Sequence, residues 1–318
     1  MSKTGYFTHP SGNRHEMGPG HPECPQRLDA INDRLLATGL LDVLHGYEAP
    51  AATLTVVAQA HSIDLVEKLQ ALDAGLQAAL VQGARPGYAA LDPDTTMNPW
   101  TWQAALHAAG ATVAATDAVL RGELENAFCA VRPPGHHACH GKAMGFCFIN
   151  HVAIAARHAL EHHGLQRVAI VDFDVHHGNG TEDIVSGDER ILMVSFFQHP
   201  FYPYSGAEGS ADNILNLPVP AYTKGETVRT LISQHWLPRL EAFAPEMIFI
   251  SAGFDAHRED DLGQMGLVEA DYAWITQQIK AVAAKFAKGR IVSSLEGGYN
   301  LGALGRSVEA HIRVLADV

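Results

Sequence analysis

The chain lacks several features that mark common function classes. Its 22 lysines and arginines stand against 35 aspartates and glutamates, a formal net charge of −13. Nucleic-acid affinity comes largely from lysine and arginine neutralising phosphate, so this deficit excludes a broad phosphate-reading surface. A cationic substrate is electrostatically welcome. The four cysteines, Cys24, Cys129, Cys139 and Cys147, form no C-x-x-C pair and no zinc-finger spacing, and read as reduced thiols. No stretch approaches the roughly 18 uninterrupted apolar residues of a membrane span. The opening MSKTGYFTHPSGNRHEMGPG has no apolar signal core. A soluble cytoplasmic protein is the expectation, with monomer and homo-oligomer both open. P-loop, G-x-S-x-G and H-E-x-x-H motifs are absent, and neither GGYNLGALG nor HHGNG has the spacing of a dinucleotide fingerprint.

What is present is an ordinary globular composition, 47% hydrophobic and 18% charged, without repeats or linker-like tracts. One domain spanning 1–318 is expected. Helices are read at Pro25–Gly39, 102–120, 151–163, 225–243 and 269–288. Between them lie Ala127–Arg132, Val168–Asp172, Ile191–Phe196, Met247–Ser251 and Arg290–Ser294, short runs rich in Val, Ile and Phe. Such runs alternating with helices predict a parallel sheet covered on both faces. Each run leads directly into a polar cluster: RPPGHHA, DFDVHHGNG, SFFQHP, SAGFDA and SLEGGYN. In open α/β sheets the carboxyl ends of the strands converge on one crevice, where ligands bind.

Nine of the 19 histidines fall between His136 and His177. His151, His158, His162 and His163 lie on a predicted helix and are assigned to core or surface. Asp172, Asp174 and His176 alternate with period two at a strand end and so project to one side. Two carboxylates and an imidazole placed together repel and desolvate one another unless a cation neutralises them. Asp255, alone, would serve equally well as a helix cap; beside Asp174 and His176 it completes three protein ligands with an open position, as catalytic zinc requires. His136 and His137 follow a stiff double-proline turn, with Asp172 and Asn179 available as partners. A carboxylate-paired histidine is more basic than an amide-paired one, which would separate their roles. Tyr299, after two glycines, offers a donor to a developing oxyanion.

Together RPPGHHA, GFCFINH, DFDVHHGNGT, SAGFDAH and EGGYN resemble the zinc-dependent histone deacetylase superfamily, including its bacterial amidohydrolase members, in order from about His21 to about Arg313. HPECPQRL is similar to the family's opening segment, and with Asn179 it resembles the class II branch. The resemblance implies an arginase-like α/β fold with a single open parallel sheet of about eight strands. It implies Zn²⁺ on Asp174, His176 and Asp255, and a structural K⁺ on Asp172, Ser195 and the carbonyls of Asp174, His176 and Phe196. It makes His137 the general base, pairs His136 with Asp172 to stabilise charge, and gives Tyr299 a share of the oxyanion.

The expected substrate sleeve runs between Gly145–Phe146 and Tyr202, with Gly298 beside Tyr299. An acylated lysine is neutral, so an apolar sleeve can accept it without burying a charge. Many relatives carry phenylalanine where Tyr202 stands. Leu262 falls at a rim position where polyamine-selective eukaryotic relatives carry glutamate, which favours acyl-lysine over acetylpolyamine. Asp92 and Asp94 both remain candidates for a rim aspartate that grips the substrate backbone. The expected activity is removal of acetyl or another acyl group from lysine side chains. An acetylpolyamine amidohydrolase is the alternative. A binuclear manganese ureohydrolase lacks its bridging carboxylates here, and a silent acyl-lysine-binding module would not need His136, His137, Tyr299 and all three ligands.

Overall fold

The computed structural model describes residues 2–318. Eight strands form one parallel sheet: β1 (Thr4–Thr8), β2 (His45–Glu48), β5 (Asn126–Cys129), β6 (Val168–Asp172), β7 (Ile191–Gln198), β8 (Ile214–Val219), β9 (Met247–Ala252) and β10 (Ile291–Leu295). Their order is β2-β1-β5-β10-β9-β6-β7-β8, while β3 (Ala89–Ala90) and β4 (Thr96–Met97) make a separate small hairpin.

Side chains alternate across a strand, and the core divides accordingly. Val168 and Ile170 of β6 join the apolar cluster that includes Ala105 and Ala109 of α4 (Thr101–Leu120) and Val152 of α5 (His151–Glu161). Ala169 and Val171 join the opposite cluster, with Ile275 of α9 (Glu269–Phe286), Val308 of α10 (Leu301–Ala316) and Leu28 of α1 (Gln26–Ala37). Both faces of the central strands are therefore buried, which is why they read as continuous apolar runs.

The expected sheet and most expected helices are present. The helix read over 225–243 is present without a break: α7 (Gly225–Leu231) continues through a π turn over Ile232–Trp236 into α8 (Leu237–Phe243). Pro238, which has no N–H to give the helix, follows directly on that π turn, where the Leu237 N–H already reaches back to the Ile232 carbonyl. Strands β1, β2 and β8 carry no long Val/Ile run; β2 is exposed along its whole length. The remaining helices are α2 (Leu54–Val57), α3 (Ile63–Val81) and α6 (Asn179–Val185). Among the described residues no helix is long and apolar enough to cross a membrane.

Candidate active site

The turn after β5 is held by Glu296, from the loop after the neighbouring strand β10. Its Oε2 accepts the backbone N–H groups of Gly135 (2.7 Å) and His136 (3.0 Å). The two histidines that follow differ in partner, as expected. His136 Nδ1 lies 3.0 Å from Asp172 Oδ2, and His137 Nδ1 lies 2.7 Å from Asn179 Oδ1. The Asn179 amide nitrogen faces Cys139 Sγ and Met144 Sδ, which leaves its oxygen to accept from His137 Nδ1–H. His137 Nε2 then carries a lone pair. Burial, with His136 and His176 adding to it, holds His137 well below the usual imidazole range. Burial also opposes charging of His136, but Asp174 and Asp172 outweigh it and raise that ring well above.

One strand over, the chain beyond β6 curls so that its own carboxylates cap it. Asp172 Oδ1 accepts Asp174 N–H (3.1 Å), and Asp174 Oδ1 accepts His176 N–H (2.9 Å). Asp255, past β9, accepts Val175 N–H at 2.8 Å. These turns bring Asp174, His176 and Asp255 together, each with a ligand atom within 4.8 Å of the others. His176 Nδ1 is 3.0 Å from Asp174 Oδ1 and 3.2 Å from Asp255 Oδ2. Both carboxylates are fully buried. Burial and the neighbouring Asp174 charge push Asp255 up to about 7. Burial would hold His176 down, but the two carboxylates raise it to about 10. The two carboxylates thus favour positive charge between them, whether a proton on His176 or a cation. A dication on His176 Nδ1 and one oxygen of each aspartate would replace that proton, so the donor set fits zinc. Gly297 must lack a side chain here: a Cβ would lie 2.0 Å from Asp255 Oδ2.

A cavity of about 250 Å³ opens onto this group, walled by Phe146, Phe201 and Tyr202, with His137, His176 and Tyr299 also lining it. Gly145 has φ +58 and would drive a Cβ to 2.5 Å from the His137 ring, so only glycine lets the Phe146 loop approach. Burial raises the Tyr299 phenol well above its usual value, with Arg27 opposing, and it stays a donor. At the mouth stand Leu262, Asp261 and Asp94. Asp92, the other rim candidate, is occupied in a turn, accepting the N–H groups of Asp94 and Thr95. Gly298 does not line the cavity; its carbonyl accepts Arg27 Nε at 2.6 Å. Asp172 and Ser195, expected around K⁺, are register partners on β6 and β7, with Phe196 next in β7.

Comparison with known proteins decides the family. The histone deacetylase domain model matches residues 21–315. The chain belongs to the histone deacetylase family. It is similar to a histone deacetylase-like amidohydrolase of Pseudomonas aeruginosa, 35% identical with 88% of this chain and 73% of that one covered. It is also 37% identical to a polyamine deacetylase of Mus musculus, covering 92% of this chain and 44% of the mouse protein. Among solved structures, the HDA15 HD domain superposes with a TM-score of 0.91 at 33% identity, covering 99% of this chain and 88% of that one. The deacetylase fold and a deacetylase or amidohydrolase relationship follow.

Three residues of this deacetylase site escaped the sequence reading. Glu296 holds the histidine turn. Asp260, buried, accepts the Tyr299 and Asn300 N–H groups at 2.6 and 2.9 Å. Arg27 places its guanidinium 4.9 Å from the Tyr299 ring centroid and is held by Glu23, itself paired with Arg132. Glu23 and Arg27 both lie in HPECPQRL, so their motif was visible while their task was not.

Proposed function

We propose that residues 1–318 form one catalytic domain that hydrolyses the acyl-amide of a lysine side chain, with zinc held by Asp174, His176 and Asp255. The observation that carries this is the convergence of the His137–Asn179 pair, that ligand group and Tyr299 on one aromatic-walled cavity. Zinc bound there supplies Lewis-acid polarisation of the carbonyl and acidifies water. His137, neutral and with Nε2 free, removes the proton from the attacking water and returns it to the departing lysine amine. General acid–base transfer of this kind is worth roughly 10²–10⁴ in rate. His136, paired with Asp172, holds positive charge next to the forming anion, and Tyr299 donates its O–H to the oxyanion. Phe146 and Tyr202 flank the neutral alkyl stem, and Asp94 is the rim carboxylate that accepts substrate backbone N–H groups. Asp172, Ser195, Phe196 and the Asp174 and His176 carbonyls would hold a structural K⁺. With its four thiols free, the enzyme suits a reducing compartment, and we place it in the cytoplasm.

A second reading, an acetylpolyamine amidohydrolase, is favoured by Asp94 and Asp261 at the cavity mouth, which suit a cation. Leu262 beside them weighs the other way, since it offers no charge to a distal ammonium. The zinc-reconstituted enzyme should turn over acyl-lysine peptides with a higher kcat/KM than acetylspermidine. The reverse order would make the polyamine reading correct.

A further inference from the structure

Helix α5 starts at its N-cap, Asn150, and ends about 16 Å away, at 1.5 Å per residue, in the sequence HALEHHG. There His158, His162 and His163 each offer a ring nitrogen, all within 4.8 Å of one another. The His158 and His162 rings stack with centroids 4.8 Å apart, one helical turn separating them, and His163 closes the group at 5.1 Å from His162. Asp117 of α4 faces them, taking Nε2 of His158 at 2.8 Å and Nε2 of His163 at 2.7 Å on the same oxygen. Burial opposes its charge, but the two histidines outweigh this and hold it at about 2. His158 is buried, His163 half-buried and His162 exposed, so the group is reachable from solvent.

We propose that this cluster is a second metal site, for a divalent transition-metal ion that favours imidazole: Zn²⁺, Ni²⁺, Co²⁺ or Cu²⁺. Three imidazoles supply the ligands, and the Asp117 carboxylate offsets the charge and orients two of the rings. A bound ion ties the last turn of α5 to the His162–His163 turn that follows it. It is separate from the strand-end ligands and does not depend on what those hold.

The test counts metal per chain after equilibrium dialysis of the zinc-loaded protein against Ni²⁺. The H162Q/H163Q variant should bind one equivalent fewer than wild type while keeping the wild-type amidase rate and nickel-free melting temperature. Ni²⁺ should raise the wild-type melting temperature more than that of the variant. Asp117→Asn, which preserves shape, should need more Ni²⁺ for half-saturation. Equal nickel counts in wild type and the double variant would overturn the site and leave only a hydrogen-bonded histidine cluster.

Discussion

Asp260 Oδ2 accepts the backbone N–H of Tyr299 at 2.6 Å, and the same oxygen accepts that of Asn300 at 2.9 Å. Asn300 in turn caps α10, accepting Ala303 N–H at 3.0 Å. One buried carboxylate thus ties the start of a helix to the residue whose phenol lines the cavity. Asp260→Ala leaves three N–H groups without their acceptor, those of Tyr299, Asn300 and Leu262, and frees the loop. Displacement of a reacting group by an ångström costs up to about a hundredfold. We expect kcat to fall about ten- to a hundredfold with KM and metal content unchanged, measured by steady-state kinetics and metal analysis. Wild-type kcat in that variant would remove Asp260 from the account.

Tyr299→Phe deletes only the phenolic oxygen. Loss of one oxyanion donor typically costs about 10²–10³ in rate. The variant should retain its zinc and lose activity by that factor; near-normal turnover would show that the donor is something else.

Asn179→Asp replaces the amide beside His137 with a carboxylate at the same 2.7 Å position. A neighbouring opposite charge favours the charged imidazole, by about one to three units. The base works only when neutral, so raising its pKa moves the acidic limb of the kcat/KM profile to higher pH. An unmoved limb would mean that His137 is not the group it reports.

How much of this was legible in the sequence follows from burial. The five strands read correctly are buried along their whole length and are mostly apolar, with serines only in β7, β9 and β10. Strands β1, β2 and β8 lie towards or at the sheet edge, where TGYFT, HGYE and ILNLPV mix polar and apolar residues. Helix 225–243 kept its apolar period through the π turn, which composition does not reveal. In the site, Asp174, His176 and Asp255 were legible because each lies just past a buried strand, where an unpaired charge demands a reason. Asp260 and Glu296 were not, because what they do is accept backbone N–H groups from distant segments, and a lone acid in HREDD or SLEGG carries no sign of that. The rim choice between Asp92 and Asp94 needed the turn geometry.

Stability should depend on pH through buried neutral histidines. Burial lowers His311 to about 3, and its ring bridges Thr276 Oγ1 (2.7 Å) and Ser293 Oγ (2.9 Å). The unfolded chain binds its proton below about pH 6.5, while the folded chain stays neutral until about 3. Stability is therefore fully present above about 6.5 and falls as pH drops through that window, by about 1.4 kcal/mol per unit for this group. His61 and His151, both lowered to about 4 by burial, act in the same direction. Urea denaturation at pH 6.5 and 5 should show a shallower loss for His311→Gln than for wild type. Identical slopes would mean that His311 already binds its proton in the fold.

The most direct test is acetate release from an acetyl-lysine peptide by the zinc-reconstituted enzyme, with Asp255→Asn measured alongside. Wild type should turn the peptide over, and the variant should lose both the activity and the zinc. Failure of the zinc-loaded wild type to hydrolyse any acyl-lysine or acyl-amine, or full activity in Asp255→Asn, would contradict the account.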